Sequence, residues 1–409
     1  MALACTRVTF IQKRGSTMAS IQELDKTFVA NTYGRFDVCF VSGKGTHLKD
    51  DQGKDYIDLG SGIGVTAFGV DDEVWSKAVV DQVHKLNHVS NLYYTSPQVE
   101  LAQKMCEKTG MKKVFFSNSG AESNECSIKA ARKYSHDKYG DGRHVIVTLV
   151  NSFHGRTLAT LSATGQDVFH QHFGPFVEGF IHTPANDLEA FKHLVETNKA
   201  ICAVMLEPIQ GEGGVMPLDK EFVEGVAKIA QANDILVLID EVQTGNGRTG
   251  KVYGYMNYDI QPDIVSTAKG LAGGLPMGAT MFNDKTKDVF GPSDHASTFG
   301  GNPICAAGAV TIIDRLTDDL LDDVVKKGEY IKSELLGAPG VKSVSGFGLM
   351  LGIETEANPR EIIAECLEQG VVVLSAKTKV RLLPALNISQ TDLEKAIGIL
   401  KAVIAKHAK

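Results

Sequence analysis

The chain has 409 residues, of which 43% are hydrophobic and 22% are charged, a composition typical of soluble globular proteins. This length favours one large domain with a smaller one over a single core. The net charge of −7 argues against general nucleic-acid binding, which requires a basic surface, and no apolar run approaches the length of a membrane-spanning helix.

The start of the chain differs in charge from the rest. Residues 1–22 contain no Asp or Glu but include Arg7, Lys13 and Arg14. We therefore expect residues 1–18 to be an extension or leader, with Met18 as the natural start, and we leave them out of the fold argument.

The seven cysteines are widely spaced and form no C-x-x-C pair. This spacing predicts reduced thiols in a reducing compartment, and hence a cytoplasmic protein. His170 and His172 are close neighbours, but no nearby cysteine or carboxylate cluster completes a metal site. We therefore expect no metal ion.

Residues 19–70 form an N-terminal segment that we expect to pack with the smaller domain. Within it, residues 62–67 match the loose dinucleotide fingerprint G-x-G-x-x-A, after a predicted strand at Tyr56–Leu59. A dinucleotide site requires a helix to begin inside the fingerprint, whereas here a helix begins only after residues 68–72. The match is therefore weak evidence for a nicotinamide cofactor.

Residues 71–315 alternate short apolar runs with longer amphipathic ones. Apolar runs without alternation indicate strands covered on both faces, and the repeated order of strand, turn and helix indicates the α/β class with a mainly parallel sheet. The predicted strands are Val114–Phe116, Val145–Leu149, Ala203–Leu206, Leu236–Ile239 and Ile264–Ser266, and the predicted helices are Gly120–Tyr134 and Phe222–Asn233.

Two glycine-rich stretches of this domain suggest phosphate binding. Ser119, Gly120 and Ala121 lie between a strand and a helix, where a hydroxyl and free N–H groups form a ready phosphate site, although these residues alone favour a plain helix cap by Ser119. Residues 245–251 match the nucleotide-loop pattern G-x-x-x-x-G-K. They lack the following Ser or Thr, and they come directly after an acidic strand, so an NTPase is not supported.

The pattern changes after residue 315, where charged helical segments enclose short strands. This predicts a smaller α+β domain over residues 316–409. The predicted helices are Asp318–Leu335, Arg360–Gln369 and Gln390–Lys406, and the predicted strands are Val341–Val344, Leu349–Ile353 and Val371–Leu374.

Asp240 and Lys269 each follow an apolar strand of the large domain. Since the carboxyl ends of parallel strands meet at one crevice, the two side chains are expected to lie near each other. A buried Asp for a pyridine nitrogen and a Lys that bonds to an aldehyde carbon are what pyridoxal-phosphate chemistry requires. A structural ion pair explains the same spacing equally well.

From about residue 31 to residue 387 the sequence resembles the class III aminotransferases of fold type I. Ten motifs carry the resemblance in order, at residues 31–36, 88–93, 118–122, 151–157, 207–214, 240–245, 247–250, 262–263, 268–270 and 298–303. The resemblance implies a large pyridoxal-phosphate domain with a mainly parallel sheet and a smaller α+β domain.

The resemblance implies roles for the cofactor-binding residues. Lys269 would bond covalently to pyridoxal 5′-phosphate as the catalytic residue, Asp240 would pair with the pyridine nitrogen, and Gln243 would bind the ring oxygen. Phe153 would lie against the ring face. The phosphate would contact Ser119, Gly120 and Ala121, and Thr298 of a second subunit, which implies a homodimer with shared active sites.

The resemblance also implies substrate contacts. Arg156 would bind a substrate carboxylate, and Arg381 would be held by Glu212 until a dicarboxylate such as 2-oxoglutarate displaces that glutamate. Tyr33 and Ser297 match further substrate positions. Ile63, where ornithine-specific members have tyrosine, favours an acylated amine.

Two departures from the family pattern are visible. Residues 69–73 replace a common Gly-His-x-His-Pro stretch, and Ala121 replaces a common threonine. The expected reaction transfers the terminal amino group of N2-acetylornithine to 2-oxoglutarate in arginine biosynthesis. Ornithine, succinylornithine and 4-aminobutyrate are alternative donors, an aminomutase is a same-fold alternative, and a non-enzymatic cofactor-binding regulator is a distant one.

Overall fold

The structure, a computed structural model, describes residues 19–408, so the prediction for residues 1–18 lies outside the described residues. None of the helices in the described part of the chain is long and apolar enough to cross a membrane. The helices are α1 Ile21–Phe28, α2 Ser61–Gly64, α3 Glu73–Lys85, α4 Ser96–Thr109, α5 Gly120–Tyr139, α6 Leu158–Ala163, α7 Leu188–Thr197, α8 Lys220–Ala232, α9 Pro303–Arg315, α10 Asp318–Leu335, α11 Pro359–Glu368 and α12 Gln390–Lys406.

The strands form one large sheet and three smaller ones. They are β1 Phe40–Lys44, β2 His47–Asp50, β3 Asp55–Asp58, β4 Lys113–Ser117, β5 Val145–Leu149, β6 Phe180–Thr183, β7 Ile201–Leu206, β8 Ile209–Gln210, β9 Met216–Pro217, β10 Leu236–Asp240, β11 Ile264–Thr267, β12 Gly278–Phe282, β13 Val341–Phe347, β14 Met350–Thr355, β15 Val371–Val372, β16 Leu374–Ala376 and β17 Lys379–Leu382.

The central sheet has the order β4-β12-β11-β10-β7-β5-β6. Every residue of β5, β7, β10, β11 and β12 is buried, as expected for strands that are covered by helices on both faces. The sheet is parallel except at β12, which runs antiparallel to both neighbours. The α/β fold with a mainly parallel sheet is confirmed, and β12 is a strand that the sequence analysis did not predict.

The C-terminal part of the chain contains the antiparallel sheet β13-β14-β17-β16, against which α10 and α11 pack, while α12 packs against α10, α11 and β15. The N-terminal strands form a separate sheet in which β3 pairs in parallel with β15 of the C-terminal part. The N-terminal segment therefore shares a sheet with the C-terminal strands rather than with the central sheet. The division into residues 19–70, 71–315 and 316–409 stays a prediction.

The short element α2, where the stretch that matched the dinucleotide fingerprint begins, is a left-handed turn and not a regular right-handed helix. Ser61, Gly62, Ile63 and Gly64 all have positive φ, between 47° and 69°. This conformation is unfavourable for a β-branched residue such as Ile63. The carboxylate of Asp58 accepts hydrogen bonds from the N–H groups of Gly60 and Ser61, at 2.7 and 3.0 Å, and so holds the entry to the turn.

Candidate active site

The loops at the carboxyl end of the central sheet enclose a cavity of about 420 Å³. Asp240 is the last residue of β10, and Lys269 follows the end of β11 by two residues. Both line the cavity, as predicted from the strand order. The wall is completed by side chains or backbone of residues that include Ser119, Gly120, Ala121, Asn124, Phe153, His154, Arg156, Glu207, Val242 and Gln243.

Asp240 is buried, and its two carboxylate oxygens have different partners. Asn124 Nδ2 donates to Oδ2 at 2.7 Å, and Nδ1 of His154 lies 2.8 Å from the same oxygen. The N–H of Val242 donates to Oδ1 at 3.0 Å. These contacts fix the orientation of the Asp240 carboxylate at the cavity wall. A structural ion pair with Lys269 would not need such a fixed orientation.

Lys269 begins a short 3₁₀ turn, Lys269–Ala272, and has a positive φ of 45°. Trp75 Nε1 donates to the carbonyl of Ala272 at 2.9 Å and fixes the end of this turn. Burial lowers the pKa of the Lys269 amine, although the nearby carboxylates of Glu212 and Asp240 oppose this effect. A lowered pKa increases the fraction of neutral amine, which is the nucleophilic form that attacks an aldehyde.

The N-terminus of α5 has the features of a phosphate site. Ser119 caps the helix, since its hydroxyl accepts the N–H of Glu122 at 3.2 Å. The N–H groups of Gly120 and Ala121 have no acceptor in the part of the chain that the structure describes. A Cβ atom at Gly120 would lie 2.6 Å from Val242, so only glycine allows this close packing. Both free N–H groups line the cavity at the positive end of the helix dipole.

Phe153 and Arg156 lie next to each other at the cavity. The guanidinium of Arg156 is 5.3 Å from the centre of the Phe153 ring and 4.2 Å from that of Phe169, and the Arg156 side chain is exposed. An exposed guanidinium held between two rings retains donors for a carboxylate. Phe153 is half-buried and presents an apolar surface to the cavity.

Gln243, Glu212 and Arg381 form a hydrogen-bonded triangle. Arg381 Nη1 donates to Glu212 Oε1 at 2.5 Å and to Gln243 Oε1 at 3.0 Å, and Gln243 Nε2 donates to Glu212 Oε1 at 3.3 Å. Burial raises the pKa of Glu212, but Arg381 outweighs this effect, so the pKa is lowered overall. The ion pair expected between Glu212 and Arg381 is therefore present in the structure.

Tyr33 and Thr298 do not line the cavity of this single chain. Tyr33 is 70% exposed and carries Arg35 over its ring, while Thr298 is exposed beside the exposed Phe299. Ser297 Oγ accepts hydrogen bonds from Asn118 Nδ2 at 3.1 Å and from the N–H of Gly300 at 2.9 Å. Ile63 is 38% exposed on the left-handed turn.

Three polar residues of the site were not assigned a role from the sequence. Asn124 and His154 bind Asp240, and Glu207 accepts the N–H of Phe153 at 2.9 Å. Burial and the charge of Asp240 raise the pKa of Glu207 well above its ordinary value. His154 and Glu207 lie inside two of the motifs that carry the family resemblance. This location was the only feature of the sequence that pointed to a role for them in the site. Asn124 lies one turn into α5 and gives no such signal.

These residues fit pyridoxal phosphate. The buried Nε2 of His154 has no partner among residues 19–408, and the N–H groups at the start of α5 are also free. The cavity thus offers phosphate donors, a fixed carboxylate and the amine of Lys269. Among residues 19–408 there is no group of three or more His, Cys, Asp or Glu side chains that would hold a metal ion.

Comparison with known proteins agrees with a site for pyridoxal phosphate. The family model described as aminotransferase class-III matches residues 28–404. The acetylornithine aminotransferase of Haemophilus ducreyi is 49% identical over 392 residues, which are 95% of this chain and 100% of that protein. The acetylornithine aminotransferase of Bacillus subtilis is 42% identical and covers 92% of this chain and 97% of its own length.

Solved structures resemble the whole fold. The N-acetylornithine aminotransferase of Stenotrophomonas maltophilia superposes with a TM-score of 0.80 at 31% identity, over 94% of this chain and 98% of that chain. An ornithine aminotransferase of Toxoplasma gondii superposes with a TM-score of 0.89 at 27% identity, over 95% of both chains. The description of that Toxoplasma structure reports pyridoxal phosphate at its active site.

Proposed function

The chain belongs to the class-III aminotransferases, and on this premise we propose that it transfers the terminal amino group of N2-acetylornithine to 2-oxoglutarate. The products are N-acetylglutamate 5-semialdehyde and glutamate, and the reaction is a step of arginine biosynthesis. The observation that carries this proposal is the Glu212–Arg381 pair, whose arginine is held by an acid that a substrate carboxylate can replace. The names of relatives that are 41–49% identical to this chain support the choice of donor.

The cofactor is pyridoxal 5′-phosphate, which accepts electrons from the bond that breaks at the amino-bearing carbon of the substrate. Lys269 holds the cofactor covalently and, when released, moves the proton at that carbon. Asp240, oriented by His154 and Asn124, keeps the pyridine nitrogen protonated. Ser119, Gly120 and Ala121 bind the phosphate, as proposed from the free N–H groups.

Phe153 and Gln243 complete the proposed cofactor contacts. Phe153 would lie against the ring face and exclude water from it. Gln243 would donate an amide N–H to the ring oxygen. Since Nε2 carries two N–H groups, the second can keep the 3.3 Å bond to Glu212.

The two substrates use the same cavity in different ways. Arg156 binds a carboxylate that both the amine and the keto acid carry. The second carboxylate of 2-oxoglutarate displaces Glu212 from Arg381, whereas the amine chain of acetylornithine leaves that pair intact. Ile63 gives an apolar wall that suits the acyl group, and Tyr33 and Ser297 contribute further substrate contacts.

The proposed assembly is a homodimer with shared active sites. Leu92, Tyr93, Tyr94 and Phe299 are large apolar side chains that are between 60% and 98% exposed, and such clusters mark protein interfaces. Thr298 lies directly beside Phe299, so in a dimer it contacts the phosphate of the partner's cofactor. We place the protein in the cytoplasm, where its cysteines stay reduced.

Most of the alternative functions differ from the proposed one in the amine that donates the amino group. Ornithine, succinylornithine and 4-aminobutyrate share the terminal amine and require the same residues. The curated acetylornithine aminotransferases are 41–49% identical to this chain, whereas the solved ornithine and acetylornithine aminotransferases resemble it to the same degree, at 27–31% identity. A cofactor-binding regulator would need neither Arg156 nor the Glu212–Arg381 pair, and an aminomutase would need no keto acid.

The test is a single-turnover reaction of the cofactor-loaded protein. N2-acetylornithine, N2-succinylornithine, ornithine and 4-aminobutyrate are added separately, and loss of the cofactor's imine absorption is followed. The proposal predicts fastest conversion with N2-acetylornithine and full reversal by 2-oxoglutarate. Faster conversion with another donor would reassign the substrate, and absence of conversion with every donor would exclude the aminotransferase reaction.

A further inference from the structure

The loop at residues 245–250 matches the nucleotide-loop pattern only in part. In the structure it packs against the C-terminal part of the chain. A Cβ atom at Gly348 would lie 2.7 Å from the carbonyl carbon of Thr249 and 3.0 Å from the nitrogen of Gly250. A Cβ atom at Gly250 would lie 2.3 Å from a methyl group of Val325. The two backbones therefore approach as closely as glycine allows, and the loop joins the large domain to the strands that carry Arg381.

Arg248 is the centre of this contact. Its carbonyl accepts the N–H of Leu349 at 3.0 Å, and its Nη1 donates back to the carbonyl of Leu349 at 3.2 Å. The same Nη1 also donates to the carbonyl of Pro384. Arg248 thus connects two separate segments of the C-terminal part through one guanidinium.

The charge of this guanidinium is unusual for a residue that is 98% buried by the protein. Among residues 19–408, no carboxylate contributes to its electrostatic environment, and burial alone lowers the pKa of Arg248 to about 10. Arg248 is therefore still charged at neutral pH, and only carbonyl dipoles compensate it. Burying an unpaired charge destabilises the folded state, and an apolar side chain would hold the two packed segments together with a smaller loss of stability. We therefore infer that Arg248 does more than fill space between them.

The two carbonyls lie together at the C-terminal end of β17, the strand that carries Arg381. Leu349 directly precedes β14, in which Gly352 pairs with Arg381 across the sheet. Pro384 follows Arg381 by three residues in the chain. The left-handed turn is adjacent, because a Cβ atom at Gly64 would lie 3.7 Å from Nε of Arg248. Arg248 therefore lies beside the turn that carries Ile63 and at the end of the strand that carries Arg381, the two residues proposed above to contact the substrates.

We propose that Arg248 is a positioning residue for the dicarboxylate substrate: it holds the strand of Arg381 at the distance from the cavity at which Arg381 exchanges Glu212 for a substrate carboxylate. One nitrogen of the planar guanidinium, Nη1, donates to both carbonyls in a plane that the rigid group fixes, whereas a lysine amine is a compact charge on a flexible chain without that fixed plane. This inference rests on the proposed function, because it assigns Arg248 to the keto-acid half of that reaction.

The test separates the two half-reactions in Arg248→Lys and Arg248→Met. Single-turnover rates are measured against concentration with glutamate, which needs Arg381, and with N2-acetylornithine, which does not. We expect the apparent dissociation constant of glutamate to rise by roughly tenfold to a hundredfold in both variants. The reaction with N2-acetylornithine should stay within about twofold of the wild type. Binding of glutarate, an unreactive dicarboxylate, should weaken in parallel.

Arg143→Met is the matched control. Arg143 also donates to two carbonyls, those of Asn233 and Asp234 at 2.9 and 2.8 Å, but these lie between α8 and β10 and not beside the strand that carries Arg381. This variant should change neither half-reaction. Equal loss of both half-reactions in the Arg248 variants, no loss in either, or failure of both variants to fold would overturn the proposal and leave Arg248 a structural residue.

The amine used in this comparison is the one that the wild type accepts. If the wild type reacts with ornithine or 4-aminobutyrate and not with N2-acetylornithine, the proposed donor is wrong. The Arg248 comparison then proceeds with that amine, so the two hypotheses fail separately.

Discussion

His154 Nδ1 lies 2.8 Å from Oδ2 of Asp240, and both side chains are almost fully buried. The other ring nitrogen of His154 is buried without a partner among the described residues. Since Asn124 donates to the same carboxylate oxygen, the orientation of Asp240 is fixed before any ligand binds. Such preorganisation is what makes a buried carboxylate effective toward a charged ring nitrogen.

Replacement of Asp240 by Asn removes the charge and keeps the size of the side chain. We expect the rate of the amine half-reaction to fall by on the order of a hundredfold or more, because the ring nitrogen loses its counter-charge. The single-turnover assay measures this rate, and melting temperatures show that the variant is folded. Asp141→Asn, at an exposed site, is the control. A rate close to that of the wild type would remove Asp240 from its assigned role.

Replacement of His154 by Leu tests the support of Asp240 rather than Asp240 itself. The variant loses one charge-assisted hydrogen bond, so we expect the half-reaction to slow by roughly tenfold to a hundredfold. His154→Gln, which retains a donor, should recover part of the loss. Both variants should still bind the cofactor. Equal rates for the Leu and Gln variants would show that His154 acts through packing and not through this bond.

Glu212→Gln leaves the charge of Arg381, which is 3% exposed, without its acidic partner. We expect the free energy of unfolding to fall by about 3 kcal/mol, since breaking a buried pair leaves an uncompensated cation. We also expect tighter binding of glutarate, because no internal acid competes for Arg381. Calorimetry and titration measure the two effects, and Glu224→Gln is a surface control. Weaker glutarate binding would contradict the exchange that we propose for Arg381.

Glu241 predicts a pH dependence of stability. Burial raises the pKa of Glu241 to about 7, although it accepts hydrogen bonds from Thr244, Gly254 and Tyr255. The unfolded chain loses this proton near pH 4.5 and the folded chain near pH 7, so this contribution to stability is present below pH 4.5 and is lost as the pH rises to 7.

The size of this effect follows from the difference between the two pKa values, which corresponds to about 3 kcal/mol. Glu241→Gln should therefore flatten the dependence of the unfolding free energy on pH between about 4.5 and 7. Denaturant titrations of both proteins at several pH values measure this slope. An unchanged slope in the variant would show that Glu241 is ionised throughout this range in the folded protein.

The elements of the large domain could be predicted from the sequence because its strands are apolar on both faces. Val145–Leu149 was predicted with the observed bounds, and the strands that precede Asp240 and Lys269 were placed within a few residues. The order of the strands was enough to predict that Asp240 and Lys269 share one crevice. The antiparallel β12 was missed because Gly278–Phe282 is a short run that follows a glycine-rich stretch and has no α-helix directly before it.

The partners within the site could not be predicted in the same way. Asn124 and Asp240 are 116 positions apart, and Arg248 and Leu349 are 101 apart, so only the tertiary fold brings them together. In the proposed homodimer, Thr298 belongs to the active site of the partner subunit, a relationship that local sequence patterns do not describe. The left-handed turn was also missed, since a positive φ at Ile63 contradicts local preference.

The most direct test of the account is to locate the cofactor on the chain. The loaded protein is reduced with borohydride, which converts an imine into a stable secondary amine, and the digested peptides are analysed by mass spectrometry. We predict one modified peptide, which contains Lys269, and no modification in Lys269→Ala prepared in the same way. Attachment to another lysine in the wild type, or absence of attachment in protein that converts its substrates, would contradict the assignment of Lys269 and with it the proposed site.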